Sequence, residues 1–406
     1  MQCAEGVNAM RSCCTVNPKS PPPVCMCWYV PYGRCRVELC LVLAIWAWLF
    51  LLPPASHAQA PVYPIAQPSQ PAMPPVSVEH LGSVLGRDLA LEEETGELRP
   101  GSTVGIVVGV VQHGVRKIFA YGTAKPNSVF EIGSITKTFT ATLLAQRVVQ
   151  GVVRLDEPVR ELLPPGTVYP PLHGPQITLL SLSDHHSGLP SLPTNLQPSH
   201  PDNPFADYDS TRLYAFINEH GVGVTKDAPF SYSNVGEGLL GLALADQARQ
   251  TFPVLLKQQV LAPLRMSHTG YAVDQDMRKR LIQGHSLGHQ PAHATDLDAL
   301  AGAGGLRSDA QDMLTYLEAQ LHPEQVPAAS SDPAATSLPA AIRLTHVIHA
   351  EAFQGMHIAL NWFHIDKDGS FWHGVEPSAT ARMYSSTQSR ILPSSCFAIP
   401  ATIAMA

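Results

Sequence analysis

Phe130-Glu131-Ile132-Gly133-Ser134-Ile135-Thr136-Lys137-Thr138-Phe139-Thr140 is the stretch around which the rest of the chain is arranged. A loop ends at Gly133, and an apolar helical pattern begins at Ser134. Residues three apart on a helix share a face, so Ser134 and Lys137 reach one another. A serine hydroxyl is a weak nucleophile that needs an adjacent base. A lysine held in a dry pocket, or beside a second cation, loses part of its proton affinity and can be that base. The helix N-terminus adds backbone N–H groups and the positive end of a dipole next to the reacting oxygen. Ser-x-x-Lys also describes an ordinary helix start, so the pair takes its meaning from the residues around it.

The 406 residues can bury a sizeable core and predict two lobes. A charged fraction of 15% and a net charge of −7 describe a globular body and give no reason to expect a nucleic-acid partner. Cysteines stand at 3, 13, 14, 25, 27, 35, 40 and 396, and the segment 41–395 has none. The main body therefore has neither a disulfide framework nor a cysteine-based zinc site.

Residues 1–60 read as a leader and secretory signal peptide. Arg34 and Arg36 precede the apolar run Leu39 to Leu52, and Ala58-Gln59-Ala60 supplies the cleavage site. The run is short for a spanning helix, so export to the periplasm or medium is expected rather than a permanent anchor. The length of the leader points to a later translation start, at Met26. Residues 61–78 are a Pro-rich linker. A helix is expected over 79–97, then strands over Thr103–Val111 and Val115–Tyr121 about a His113-Gly114 turn. Gly151 ends the Ser134 helix.

Tyr232-Ser233-Asn234 forms a loop that enters the small and apolar run Gly236–Leu244. A phenol beside a lysine can take the serine proton, and an asparagine amide can position both the lysine and an acyl-amide substrate. Ala301-Gly302-Ala303-Gly304-Gly305 is a tight turn, after which Ser308 and Gln311 are expected to form a capping box. No Lys-Ser/Thr follows the glycines, which excludes a phosphate loop. Gly355–His364 alternates as one strand, Asp366-Lys367-Asp368-Gly369 turns it, and Ser370–His373 returns. His185-His186 is read as a structural loop pair, and His285, His289 and His293 as solvated loop histidines; neither set is assigned a metal.

Together these segments resemble the serine β-lactamase and penicillin-binding-protein superfamily, its class C branch above all, with that branch's DD-peptidases and esterases. Ser134-x-x-Lys137 stands for the first motif and Tyr232-x-Asn234 for the second. His373-Gly374 stands where the family has Lys-Thr-Gly or His-x-Gly. His185-His186-Ser187-Gly188-Leu189-Pro190 resembles His-Thr-Ser-Gly-Leu-Pro, and Pro263-Leu264-Arg265-Met266 resembles Pro-Leu-Gly-Met with Arg in place of Gly.

The resemblance implies an α+β fold: an α/β sandwich lobe with an antiparallel sheet (about 79–140 and 300–374) and an inserted all-helical lobe (about 145–300). It implies Ser134, Lys137 and Tyr232 as catalytic residues, with Asn234, His373 and Gly374 binding substrate. The substrate would be a β-lactam, a peptidoglycan stem peptide or an ester. No cofactor is called for, and a monomer is expected. A family esterase and an inactive binding protein are the alternative readings.

The resemblance stops at Gly374. Residues 375–406 lack the glycine turn and apolar strand pair that the family places there. The tail reads as frameshifted, since a shift of one base can convert it into such a pattern; a divergent C-terminus is the alternative. The strands after Gly374 and a second oxyanion N–H are then expected to be lost or altered, leaving a chain that is weakly active or inactive and poorly soluble.

Overall fold

The computed structural model describes residues 77–94, 104–165, 167, 176–220, 228–285, 290–327, 332–374, 382–385 and 395–400. The expected leader, signal segment and nearly all of the linker lie outside these. The chain falls into units Met1–Ser69 and Gln70–Ala406, and every described residue belongs to the second. Among the described residues no helix is long and apolar enough to cross a membrane.

In chain order the elements are α1 (Val78–Glu94), β1 (Gly105–Gln112), β2 (Val115–Gly122), β3 (Val129–Glu131), α2 (Thr136–Val149), α3 (Leu179–Ser183), α4 (Ser210–His220), α5 (Asn234–Ala248) and α6 (Phe252–Leu256). There follow α7 (Gln275–Arg280), β4 (Gly284–His285), β5 (Pro291–Ala292), β6 (Arg307–Asp309), α8 (Ala310–Leu321) and α9 (Pro333–Thr345). The chain closes with β7 (Ala350–Phe353), β8 (Met356–Ile358), β9 (Phe363–Ile365), β10 (Ser370–Gly374), β11 (Arg382–Ser385) and β12 (Ser395–Pro400).

The main sheet is antiparallel, in the order β2-β1-β12-β11-β10-β9-β8-β7, so both ends of the unit meet in it. The unbroken apolar run of β1 follows from burial on both faces. Val107 and Val111 join the main core, which holds Leu314 and Leu317 of α8. Val108 and Val110 cluster with Leu81 and Leu85 of α1. Arg116 of β2 reaches over to Glu318 of α8, its Nε donating at 2.9 Å.

α2 is buried over eleven consecutive residues, Thr136 to Gln146. Threonine is a poor helix former, yet Thr138, Thr140 and Thr142 are tolerated because their buried hydroxyls bond carbonyls: Ile135 O at 2.8 Å, Gly302 O at 2.7 Å and Thr138 O at 2.9 Å. Phe139 stacks on Tyr316 with centroids 3.8 Å apart.

Several expectations need correction. The strands after Gly374 are not lost: β11 and β12 lie between β10 and β1, where backbone pairing fills what would otherwise be two open edges. Gly355–His364 is not one strand. Asn361 adopts φ +57, and the segment folds back as a β8–β9 hairpin with Ile358 opposite Phe363. The helical lobe is not purely helical, since β4 and β5 form a two-stranded ribbon in it. α8 is capped by Asp309, whose carboxylate accepts from the N–H of Asp312 at 3.0 Å; Ser308 pairs instead with Phe130 in the small β3–β6 sheet. His285 is buried in that two-stranded ribbon, not solvated, whereas His293 is exposed and His289 lies outside the described residues.

Candidate active site

Ser134 sits in a single 3-10 turn, Gly133–Ile135, and Lys137 is the second residue of α2. Gly133 turns the chain with φ +50. The N–H of Ile132 bonds Leu306 O at 3.0 Å, anchoring the loop on the strand side. Lys137 is wholly buried. Its Nζ lies 3.0 Å from Ser134 Oγ, 2.8 Å from Asn234 Oδ1 and 2.7 Å from Ala303 O.

These three partners are not equivalent. A carbonyl and an amide oxygen only accept, so Ala303 and Asn234 take an N–H from Lys137 whether or not it is charged. The remaining position faces the serine. As an ammonium, Lys137 donates there to Oγ; as an amine, it presents its lone pair to the serine O–H. The site therefore holds Lys137 in one place through gain and loss of the serine proton.

Ala303 O reaches the lysine because glycines let the 299–303 turn press onto α5. A Cβ on Gly238 would lie 2.8 Å from Ala299 O, and one on Gly302 would collide with the carbonyl of Glu237. The Gly-rich turn is thus a means of bringing a backbone acceptor to Lys137.

Tyr232 lies with its ring centroid 4.7 Å from Lys137 Nζ. Its loop is shaped by the 185–191 segment. Ser231 N–H donates to His185 O at 2.8 Å, Ser233 Oγ to Pro190 O at 2.6 Å, and Asn234 N–H to Ser191 O at 3.1 Å. His185, fully buried with φ +63, lies 4.5 Å from the Tyr232 ring. Burial, and then the charge of Lys137, push its pKa well below the ordinary value, so it is a neutral support.

His373 on β10 is completely buried, its ring 6.4 Å from that of Tyr232. Its Nδ1 lies 2.6 Å from Asn361 O, and a carbonyl only accepts, so Nδ1 carries the proton and Nε2 is bare. Nε2 is buried without a hydrogen-bond partner. Burial and the Lys137 charge lower the pKa of His373 to about 3. A neutral ring with a bare Nε2 accepts hydrogen bonds; it does not offer the fixed positive charge of a lysine at this place. Gly374 ends β10 opposite Arg382, and residues 375–381 lie outside the described ones.

The structure thus brings Ser134, Lys137, Tyr232, Asn234 and His373 to one region, with Gly374 next in chain. Glu237 was not anticipated there. It is wholly buried one turn beyond Asn234, with its carboxyl beside the side chain of Asn361. Burial raises its pKa to about 8 against the pull of Lys137. The readable signal is a single acid in the otherwise apolar run Val235–Leu244, three residues after Asn234 and so on its face.

The sequence profile of the β-lactamase family matches residues 92–390. A β-lactamase of Pseudomonas fluorescens is 29% identical over 233 residues, 55% of this chain and 61% of that protein. The D-alanyl-D-alanine-carboxypeptidase/endopeptidase AmpH of Escherichia coli K12 is 28% identical over 225 residues, 53% of this chain and 57% of that protein. The alignments thus span less than two thirds of these two relatives. A crystal structure of a class C β-lactamase from Rhodobacter sphaeroides superposes with a TM-score of 0.64 at 20% identity, covering 80% of this chain and 94% of that one. A β-lactamase/D-alanine carboxypeptidase from Yersinia pestis, complexed with citrate, gives 0.62 at 21% identity over 79% and 93%. At such identities the structural likeness speaks for the fold.

Proposed function

The chain belongs to the β-lactamase family, and from that membership we propose that it is a serine acyl-enzyme hydrolase acting on β-lactams or peptidoglycan stem peptides. The observation that carries the reading is Lys137 Nζ, 3.0 Å from Ser134 Oγ and fixed by two acceptors on its other sides. Ser134 Oγ attacks the lactam or amide carbonyl carbon while Lys137, with Tyr232 beside it, takes the serine proton. The backbone N–H of Ser134 stabilises the oxyanion. The C–N bond breaks, and the same groups return the proton to the leaving nitrogen. Asn234 orients Lys137 and the substrate amide. Water, deprotonated by the same machinery, then cleaves the acyl ester. No cofactor enters any step.

A second reading, a family esterase, is favoured by one observation: His373 is neutral where the penicillin-recognising branch has a lysine to meet a substrate carboxylate. In that reading His373 Nε2 accepts a hydrogen bond from substrate near the leaving group. The apolar run 39–52 and the Ala58-Gln59-Ala60 site support a periplasmic or secreted location.

The test is turnover of a chromogenic cephalosporin, a D-Ala-D-Ala peptide and a short-chain nitrophenyl ester by the full chain and by Ser134→Ala. At least one is hydrolysed, and the variant loses that activity by a factor of about 10³ or more. Preference among the three separates the readings. No hydrolysis of any, or an equally active variant, would overturn both.

A further inference from the structure

Away from the cleft, the β8–β9 hairpin gathers a set of metal-binding side chains. His357 stands directly opposite His364 in the antiparallel register, and Asp366 follows His364 by two residues, so all three project from one face. One ligand atom from each lies within 4.8 Å of the others. The Nδ1 atoms of both imidazoles lie near the same carboxylate oxygen, Asp366 Oδ1: that of His357 is hydrogen-bonded to it at 2.8 Å, and that of His364 is 3.5 Å away. The His364 Nδ1 is buried without a hydrogen-bond partner.

From this convergence we infer that His357, His364 and Asp366 form a binding site for a divalent transition metal of the zinc type. Two imidazole nitrogens and one carboxylate oxygen are the donor set that Zn2+ prefers, with solvent free to complete the shell. Zinc bonds of about 2.0–2.1 Å put tetrahedral ligand atoms about 3.4 Å apart, which small side-chain rotations reach from the present spacing. A bound ion would give the orphaned His364 nitrogen a partner and clip two three-residue strands together near the outer edge of the sheet.

A similar set elsewhere does not qualify. His268, Asp309 and Asp312 also converge, but Arg280 donates to Asp309 at 2.9 Å, and Thr269 and the His268 N–H both bond Asp312. A guanidinium already supplies the positive charge there. Among the described residues, the ion pairs of Asp366 are with the two histidines alone.

The full chain, stripped with chelator and dialysed against micromolar Zn2+, is expected to retain about one zinc ion more per chain than either His364→Ala or Asp366→Asn. His268→Ala, a control for binding by other histidines, is expected to retain as much as the parent. Zinc should also raise the Tm of the parent and not of His364→Ala. Equal zinc in parent and both hairpin variants, or none in the parent, would overturn the assignment. Circular dichroism in chelator, where parent and variants should coincide, separates loss of the site from loss of the fold.

Discussion

Glu237 sits under the nucleophile's lysine and keeps its proton where a solvated carboxyl would have lost it. Between an ordinary carboxyl pKa and about 8, the folded chain holds a proton that the unfolded chain releases. Its contribution to stability is therefore complete at acid pH and falls as pH rises, by about 1.4 kcal/mol per unit at most. Glu237→Gln keeps the shape and removes the titration. Urea unfolding at pH 5 and pH 8 is expected to show the variant gaining on the parent at pH 8; an unchanged gap would mean that Glu237 is ionised in the fold. Arg265 makes a second case. Where the family has glycine, this arginine is forced to φ +58, a left-handed conformation that costs a side-chain-bearing residue about 1 kcal/mol. Arg265→Gly should raise stability by roughly 0.5 kcal/mol after the added chain entropy of glycine, measured as a shift in urea midpoint. Ser134 with Lys137, and Tyr232 with Asn234, could each be read as a pair because the spacing within each is local; the meeting of the two pairs, 97 residues apart from Lys137 to Asn234, was expected from the family resemblance alone. Glu237 was not legible, because its meaning depends on burial against α2, which no local pattern reports.

The elements were read with similar limits. Strand β1 was plain from its β-branched run, and the end of α2 from Gly151, which adopts φ +70. The β8–β9 hairpin was missed because Asn361 turns the chain inside an alternating pattern. The cap of α8 moved from Ser308 to Asp309 because Ser308 was claimed by strand pairing, a tertiary event. The 301–305 turn was seen as a turn but not as the source of a lysine ligand. Its role makes a sharp prediction. Gly302→Ala must push the turn off α5, at a cost of about 1–3 kcal/mol, and draw Ala303 O away from Lys137. Acylation is expected to slow more than the loss of folded protein explains. A variant as stable and as reactive as the parent would show that the close approach is dispensable.

On the scale of the whole unit, the sheet built from both chain ends and the helices between them were legible through family motifs, and the structural likeness bears this out. The completed strand order past β10 was not, since residues 375–406 carry none of the expected pattern, yet β11 and β12 pair there between β10 and β1. The lobes matter because the nucleophile's helix, the Tyr232 loop and β10 come from distant parts of the chain and meet only in the fold. The most direct test is to mix the full chain with excess penicillin, and separately with an activated ester, quench in acid within seconds, and map the adduct by mass spectrometry. The expected result is a single acyl group on the peptide carrying Ser134, absent from Ser134→Ala. An adduct on another residue, equal labelling of the variant, or no adduct with either reagent would contradict it.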